Sequence, residues 1–261
     1  MILRNLVICL LPLMLLAGCA TGQVSAEKAK EKEKLAAAAS ANTQLGVEYL
    51  RKGEYETSLK KLKKALAIDP NYAEAHDVIA VLYEKVGELD LAEEHYKRSL
   101  KLNPDNAASR NNYGRFLCNR QRYQEAEEEF QSAAKNAFYP TPEIPLVNSG
   151  LCMEAASNAE KAEMYYRQAL QKDPLFGPAL LQMARLSFEQ QNYLGARGYL
   201  QRYEETNRHT PESLWLAVRT EYALEDHKAW GNYALQLQNN FPDSRQAAAL
   251  MEWENERRSG R

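Results

Sequence analysis

Imidazole and thiol side chains, which most readily act as bases, nucleophiles or metal ligands near neutral pH, are few in this 261-residue chain, which has four cysteines and four histidines. The histidines, His76, His95, His209 and His227, fall on different helical segments. None has the HxxxH or HExxH spacing that sets two imidazoles on one helix face around a metal. They read as surface or interhelix residues. Glu127, Glu128 and Glu129 are consecutive, which makes a solvated face rather than a pair of carboxylates whose environments push their pKa values apart. No glycine-rich phosphate loop and no nucleophile elbow occurs. The chain therefore reads as a non-enzyme, with no metal, no cofactor and no small-molecule substrate expected. The chemistry that remains belongs to the thiols of Cys9, Cys19, Cys118 and Cys152.

Cys19 has the most specific surroundings. Arg4 is the only charge before an apolar run, Leu6 to Leu16, which is shorter than the roughly 20 residues of a spanning helix and has the length of a signal-peptide core. The run ends in Leu16-Ala17-Gly18-Cys19, which resembles a bacterial lipobox. That resemblance implies a signal over 1–18, cleavage before Cys19 and covalent lipid on Cys19; several acyl chains anchor stably where one is marginal. The alternative is an ordinary secretory signal with an incidental cysteine. Ala20 follows the cysteine, and the absence of an aspartate there favours the outer membrane, with the folded part in the periplasm. Cys9 leaves with the signal, so Cys118 and Cys152 remain, in an oxidising compartment.

Behind these residues the composition, 45% hydrophobic and 26% charged, is that of a folded protein. A formal net charge of -2 gives no general attraction to nucleic acid or anionic membrane, and no local basic patch supplies one. Ser25 to Ala41, "SAEKAKEKEKLAAAASA", has high helix propensity, but its Glu27 to Lys34 stretch offers no apolar face. Residues 19–38 read as a lipidated N-terminus and a charged, alanine-rich tether, partly helical, that holds the folded body off the membrane.

The body repeats. Pro70 to Pro104 is 34 residues, Pro104 to Pro174 is twice 34 plus 2, and Pro174 to Pro242 is twice 34. Each unit is helix, turn, helix, and the period resembles the tetratricopeptide (TPR) repeat. The units fall at 39–72, 73–106, 107–140, 143–176, 177–210 and 211–244, with Thr141 and Pro142 inserted. Small residues recur at positions 8, 20 and 27 and bulky ones at 24, as in Gly114, Ala126, Ala133 and Phe130 of the third unit. Unit six departs, with Trp230 in the small slot at 20. Residues 245–261 read as a capping helix and tail. The expected fold is all-α, a right-handed superhelical solenoid of about six TPR units with a C-terminal cap.

At about 100° per residue, positions 2, 5, 9, 12 and 13 of each first helix lie opposite its core side, on the wall such repeats present to ligands. That wall is partly apolar: Val47, Leu50, Val81, Ile144, Val147, Leu151, Leu181 and Phe188. Asn111, Arg115, Asn119 and Arg185 add hydrogen-bonding groups. Neighbouring helices could cover these residues; the functional reading is a groove for an apolar or amphipathic segment of a partner. Cys118 at position 12 and Cys152 at position 10 point about 160° apart on neighbouring first helices, one facing the following repeat and the other facing back. The two thiols can therefore meet in a disulfide; two free buried thiols or a redox site are the alternatives, although no CxxC or flanking base is present.

A lipobox, about six TPR units and the third-unit strings "NNYGRFLC" and "RYQEAEEEF" together resemble the PilF/PilW family of type IV pilus pilotins, over nearly the whole mature chain. The resemblance implies a protein that binds the pilus secretin, escorts it to the outer membrane and promotes its multimerisation. Another TPR envelope lipoprotein, a scaffold for outer-membrane protein insertion or for cell-wall hydrolases, would share fold and anchor but not partner.

Overall fold

The computed structural model describes residues 17–259. The signal segment expected over 1–18 thus falls almost wholly outside the described residues, and of Cys19 only the backbone is described. Two compact units form, Met1–Asp105 and Asn106–Arg261. Every described element is a helix.

The first unit contains α1 (Ala17–Arg51), α2 (Tyr55–Ile68), α3 (Ala73–Val86) and α4 (Leu89–Leu102). α1 packs on α2 and α3, and α3 packs on α4. The 35-residue α1 runs unbroken through the expected tether into the first repeat. Its residues 30–37 are exposed and burial begins at Ala39. Alanine, lysine and glutamate are strong helix formers, so the helix persists on propensity before it has anything to pack against. The core gathers Leu62, Ile79 and Leu82, with Leu50, Leu59, Leu66, Val78 and Tyr83 against them. Helices of a pair approach where a small residue meets a bulky one: a Cβ on Gly46 would lie 2.6 Å from Leu62. Beside it the buried Ser58 hydroxyl donates to the Gly46 carbonyl at 2.7 Å.

The second unit contains α5 (Ala107–Asn119), α6 (Tyr123–Lys135), α7 (Glu143–Ala155), α8 (Ala159–Lys172), α9 (Gly177–Glu189), α10 (Tyr193–Thr206), α11 (Pro211–Ala223), α12 (His227–Asn240) and α13 (Arg245–Arg258). Each of α5 to α12 packs on the next, and α13 closes the unit against α11 and α12. Side chains of Asn106, Asn158, Asn192, Asp226 and Ser244 accept backbone N–H groups at helix starts, which satisfies donors that have no partner inside the helix. A Cβ on Gly114 would lie 2.8 Å from Phe130, and one on Gly150 would lie 2.3 Å from Tyr166. Ala126, Ala162 and Ala196, at position 20, are wholly buried.

The α11/α12 pair keeps this logic with its sizes exchanged. Val218 stands at position 8 and Ala234 at position 24, so the small residue comes from the opposite helix. Both belong to a core with Leu214, Leu237, Ala247 and Leu250, and Trp230 packs at its edge. Trp230 also meets Trp253 of α13 edge to face, with ring centroids 6.2 Å apart. The departure at Trp230 is therefore an exchange of large and small, with the capping helix covering the excess bulk.

One turn recurs in both units. Gly53, Gly87, Gln121, Ser157, Gln191 and Glu225, all at position 15, have φ between 58° and 86° and reverse the chain between the two helices of a repeat. Glycine adopts this conformation without the steric penalty that other residues meet.

Candidate partner-binding wall of the first helices

In the first unit the expected wall residues are Val47 and Leu50 on α1 and Val81 on α3, all half-buried. Leu50 leans on the Leu62, Ile79 and Leu82 core, so only part of its surface faces outward.

In the second unit, α5 and α7 touch, and the disulfide between Cys118 and Cys152 ties them together. The expectation that both thiols face each other across adjacent repeats is met. Two residues placed on the exposed wall by helix geometry are instead buried: Asn111 is 8% and Val147 is 5% exposed. The Asn148 side chain donates to Asn111 Oδ1 at 2.8 Å. That bond holds α5 against α7, and burial keeps a partner from both Asn111 and Val147. Arg115 and Asn119 on α5 are exposed, Ile144 is half-buried, and Leu151 is 41% exposed. Leu151 is thus the most accessible apolar group of the expected set.

On α9, Leu181 and Phe188 are half-buried against a core of Ala184, Leu200, Leu216 and Ala217. Arg185 spans to Glu154 of α7 through one guanidinium nitrogen that meets both carboxylate oxygens, and it pairs with Glu189 of its own helix at 2.8 Å. Burial works against the charge of Arg185, but the Glu154 carboxylate outweighs it and the guanidinium's pKa is raised. Arg185 therefore fixes one first helix to the next, and its donors are largely spent inside the protein.

The wall continues into the sixth repeat, beyond the residues expected to line it. Trp215, Arg219 and Tyr222 occupy positions 5, 9 and 12 of α11, the same positions as Leu181, Arg185 and Phe188 on α9. The Arg219 guanidinium lies 4.6 Å from the centre of the Phe188 ring. Counting the same positions through the irregular unit finds these residues. Another association crosses two helices: His76 of α3 and His95 of α4 bring their Nδ1 atoms to 3.0 Å. Among the described residues no group of three or more metal-ligating side chains forms.

Elsewhere in the second unit a cleft of about 750 Å³ opens beside α6 and α8, lined by Gln131, Lys135, Tyr139, Met164 and Gln168 among others. It is built chiefly from second helices and is separate from the wall.

Models of the tetratricopeptide repeat match residues 46–87, 78–140 and 154–220. The chain is 31% identical over 201 residues to the type IV pilus assembly protein PilF of Pseudomonas aeruginosa, covering 77% of this chain and 80% of that protein. The solved structure of Pseudomonas aeruginosa PilF superposes with a TM-score of 0.73 at 31% identity, over 85% of this chain and 99% of that one. That of PilW, described as a widely conserved type IV pilus biogenesis factor, gives a TM-score of 0.70 at 32% identity, over 82% and 98%. An uncharacterized protein of Haemophilus influenzae is 30% identical over 135 residues, covering 52% of this chain and 73% of its own length.

Proposed function

The chain belongs to the PilF/PilW family of type IV pilus biogenesis proteins, and from that premise we propose that it is a pilotin. In this reading it is a non-enzymatic, lipid-anchored outer-membrane protein that binds the pilus secretin, brings it to the outer membrane and promotes its multimerisation. The observation that carries the reading is the relation to PilF over 80% of that protein's length.

The residues divide the work in two. No described helix is long and apolar enough to cross a membrane, and attachment is assigned to acyl chains on Cys19, which give the outer-membrane address. The grip is assigned to the first helices. Within the first unit Val47, Leu50 and Val81 offer half-buried apolar surface. Within the second, half-buried Ile144, Leu181 and Phe188 and the exposed Leu151 offer apolar surface, edged by Arg115 and Asn119. On the second unit, an amphipathic secretin segment would lay its apolar side on Ile144, Leu151, Leu181 and Phe188 and its backbone or carboxylates toward Arg115 and Asn119. Asn111 and Arg185 support that surface from behind by joining successive first helices, and Val147 is buried beneath it.

The anchor is tested with Cys19→Ser in the full chain, which leaves the helices folded. The expected result is secretin subunits that no longer reach the outer membrane although they still bind the variant. Secretin that reaches the outer membrane normally beside Cys19→Ser would contradict lipidation as the sorting device.

A further inference from the structure

The last repeat of the second unit and its capping helix each carry a guanidinium group stacked on aromatic rings, and among the described residues no carboxylate pairs with either. Arg219 of α11 lies 4.6 Å from the Phe188 ring centre and 5.5 Å from that of Trp215. Its Nε is buried and meets no acceptor among the described residues. Burial disfavours its charge, and Glu189, the acid whose field supports it, is already bound to Arg185 at 2.8 Å. Glu221 and Asp226, acids of the same helix pair, are engaged by Arg197. Arg257 of α13 is exposed and lies 4.4 Å from the Tyr222 ring centre, 5.2 Å from that of Trp253 and 5.8 Å from that of Trp230. Trp215 and Trp253 meet edge to face at 6.1 Å, so aromatic surface runs unbroken from one guanidinium to the other.

A guanidinium laid on a ring keeps its N–H edge in plane and available, and that edge fits a carboxylate. The geometry points to a docking site, built from Arg219, Arg257, Trp215 and Trp253, for an acidic segment of the partner protein whose carboxylates pair with the arginines while flanking apolar side chains lie on the indoles. Charge selects this occupant: two unmatched cations on a chain of formal net charge -2 favour an acidic segment over a basic or wholly apolar one. The inference rests on the reading of the first helices as the partner-binding wall and extends that wall into the sixth repeat.

All three tryptophans of the chain, Trp215, Trp230 and Trp253, lie in this cluster, so intrinsic fluorescence reports on it directly. The full chain is titrated with a capped peptide of alternating glutamate and phenylalanine, and with its glutamine analogue. The glutamate peptide is expected to bind about tenfold more tightly, as loss of a charge-assisted pair implies, and added salt should narrow the gap. Arg219→Gln and Arg257→Gln should each reduce that preference; because Arg257 is exposed, its variant keeps the fold. Equal affinities for the two peptides, or a preference that survives both substitutions, would overturn the site. So would phosphatidylglycerol vesicles that bind through Arg257 while the glutamate peptide does not. Secretin capture separates this inference from the pilotin reading. Full secretin binding by the Arg219→Gln/Arg257→Gln protein removes the site and leaves that reading intact, whereas absence of secretin binding by the unaltered protein counts against the reading itself.

Discussion

Cys118 of α5 and Cys152 of α7 are joined across adjacent repeats, with Cα atoms 5.8 Å apart and a sequence separation of 34. A loop of this length removes about 3–4 kcal/mol of chain entropy from the unfolded state. The Cys118→Ser/Cys152→Ser protein should lose about that much stability in urea unfolding of the second unit. A reductant should reproduce the loss in the parent protein and change nothing in the variant; equal midpoints for oxidised and reduced parent would contradict the disulfide's role.

Two helical glycines separate packing from propensity. A methyl at Gly150 would press on the buried Tyr166 ring, whereas one at Gly198 meets nothing within 4 Å. Gly198→Ala should therefore stabilise by up to about 1 kcal/mol, and Gly150→Ala should destabilise by about 1 kcal/mol or more despite the same gain in propensity. Thermal unfolding of the two variants checks the sign of each.

The His76 and His95 pair makes the first unit sensitive to acid. His76 Nε2 lies 3.2 Å from the Pro70 carbonyl, which only accepts, so Nε2 carries the hydrogen and His95 Nδ1–H donates to His76 Nδ1. Burial lowers the pKa of both, and for His95 the neighbouring His76 adds to it. Glu94 and Arg98 of α4 and Lys63 of α2 also act on the pair, Glu94 opposing the shift and the two cations reinforcing it. With folded pKa values below the unfolded ones, the unfolded chain takes up protons first. The pair's contribution is thus complete above about pH 6.5 and is lost as the pH falls through the folded values. Melting of the first unit should fall between pH 7 and pH 5 more steeply in the parent than in the His76→Gln/His95→Gln protein. Parallel slopes would show that the pair carries no such dependence.

Leu151 and Val147 divide the wall from its support. Leu151→Glu, at a 41% exposed site, should leave melting within about 1 kcal/mol of the parent and weaken secretin binding about tenfold or more. Val147→Glu, at a 5% exposed site, should instead unfold or strongly destabilise the second unit, because it buries an unpaired carboxylate. Secretin capture alongside thermal unfolding distinguishes the two; unchanged capture by Leu151→Glu would remove this part of α7 from the interface.

The repeat was legible because its signals are local and periodic. Pro70 and Pro104 mark the spacing, and a glycine such as Gly114 answers a ring such as Phe130 sixteen residues on. The cysteine pairing was legible for the same reason, since both positions face the boundary between neighbouring first helices. Helix geometry fixes a side chain's direction but not the reach of the next helix, and so Asn111 and Val147 looked exposed. His76 and His95 belong to different helices, and no local motif announces a contact between them. Trp215 and Arg219 were passed over because Trp230 broke the size pattern in their repeat, and the compensating Val218 and Ala234 are read only as a pair. The left-handed turn at Gln121, Ser157, Gln191 and Glu225 was hidden because only Gly53 and Gly87 carry the residue that signals it.

The central claim is that secretin assembly depends on this chain, and deletion of its gene tests that most directly. Secretin multimers in the outer membrane should disappear together with twitching motility, and both should return when the full chain is supplied again. Normal multimers and normal motility in the deletion strain would contradict the pilotin account.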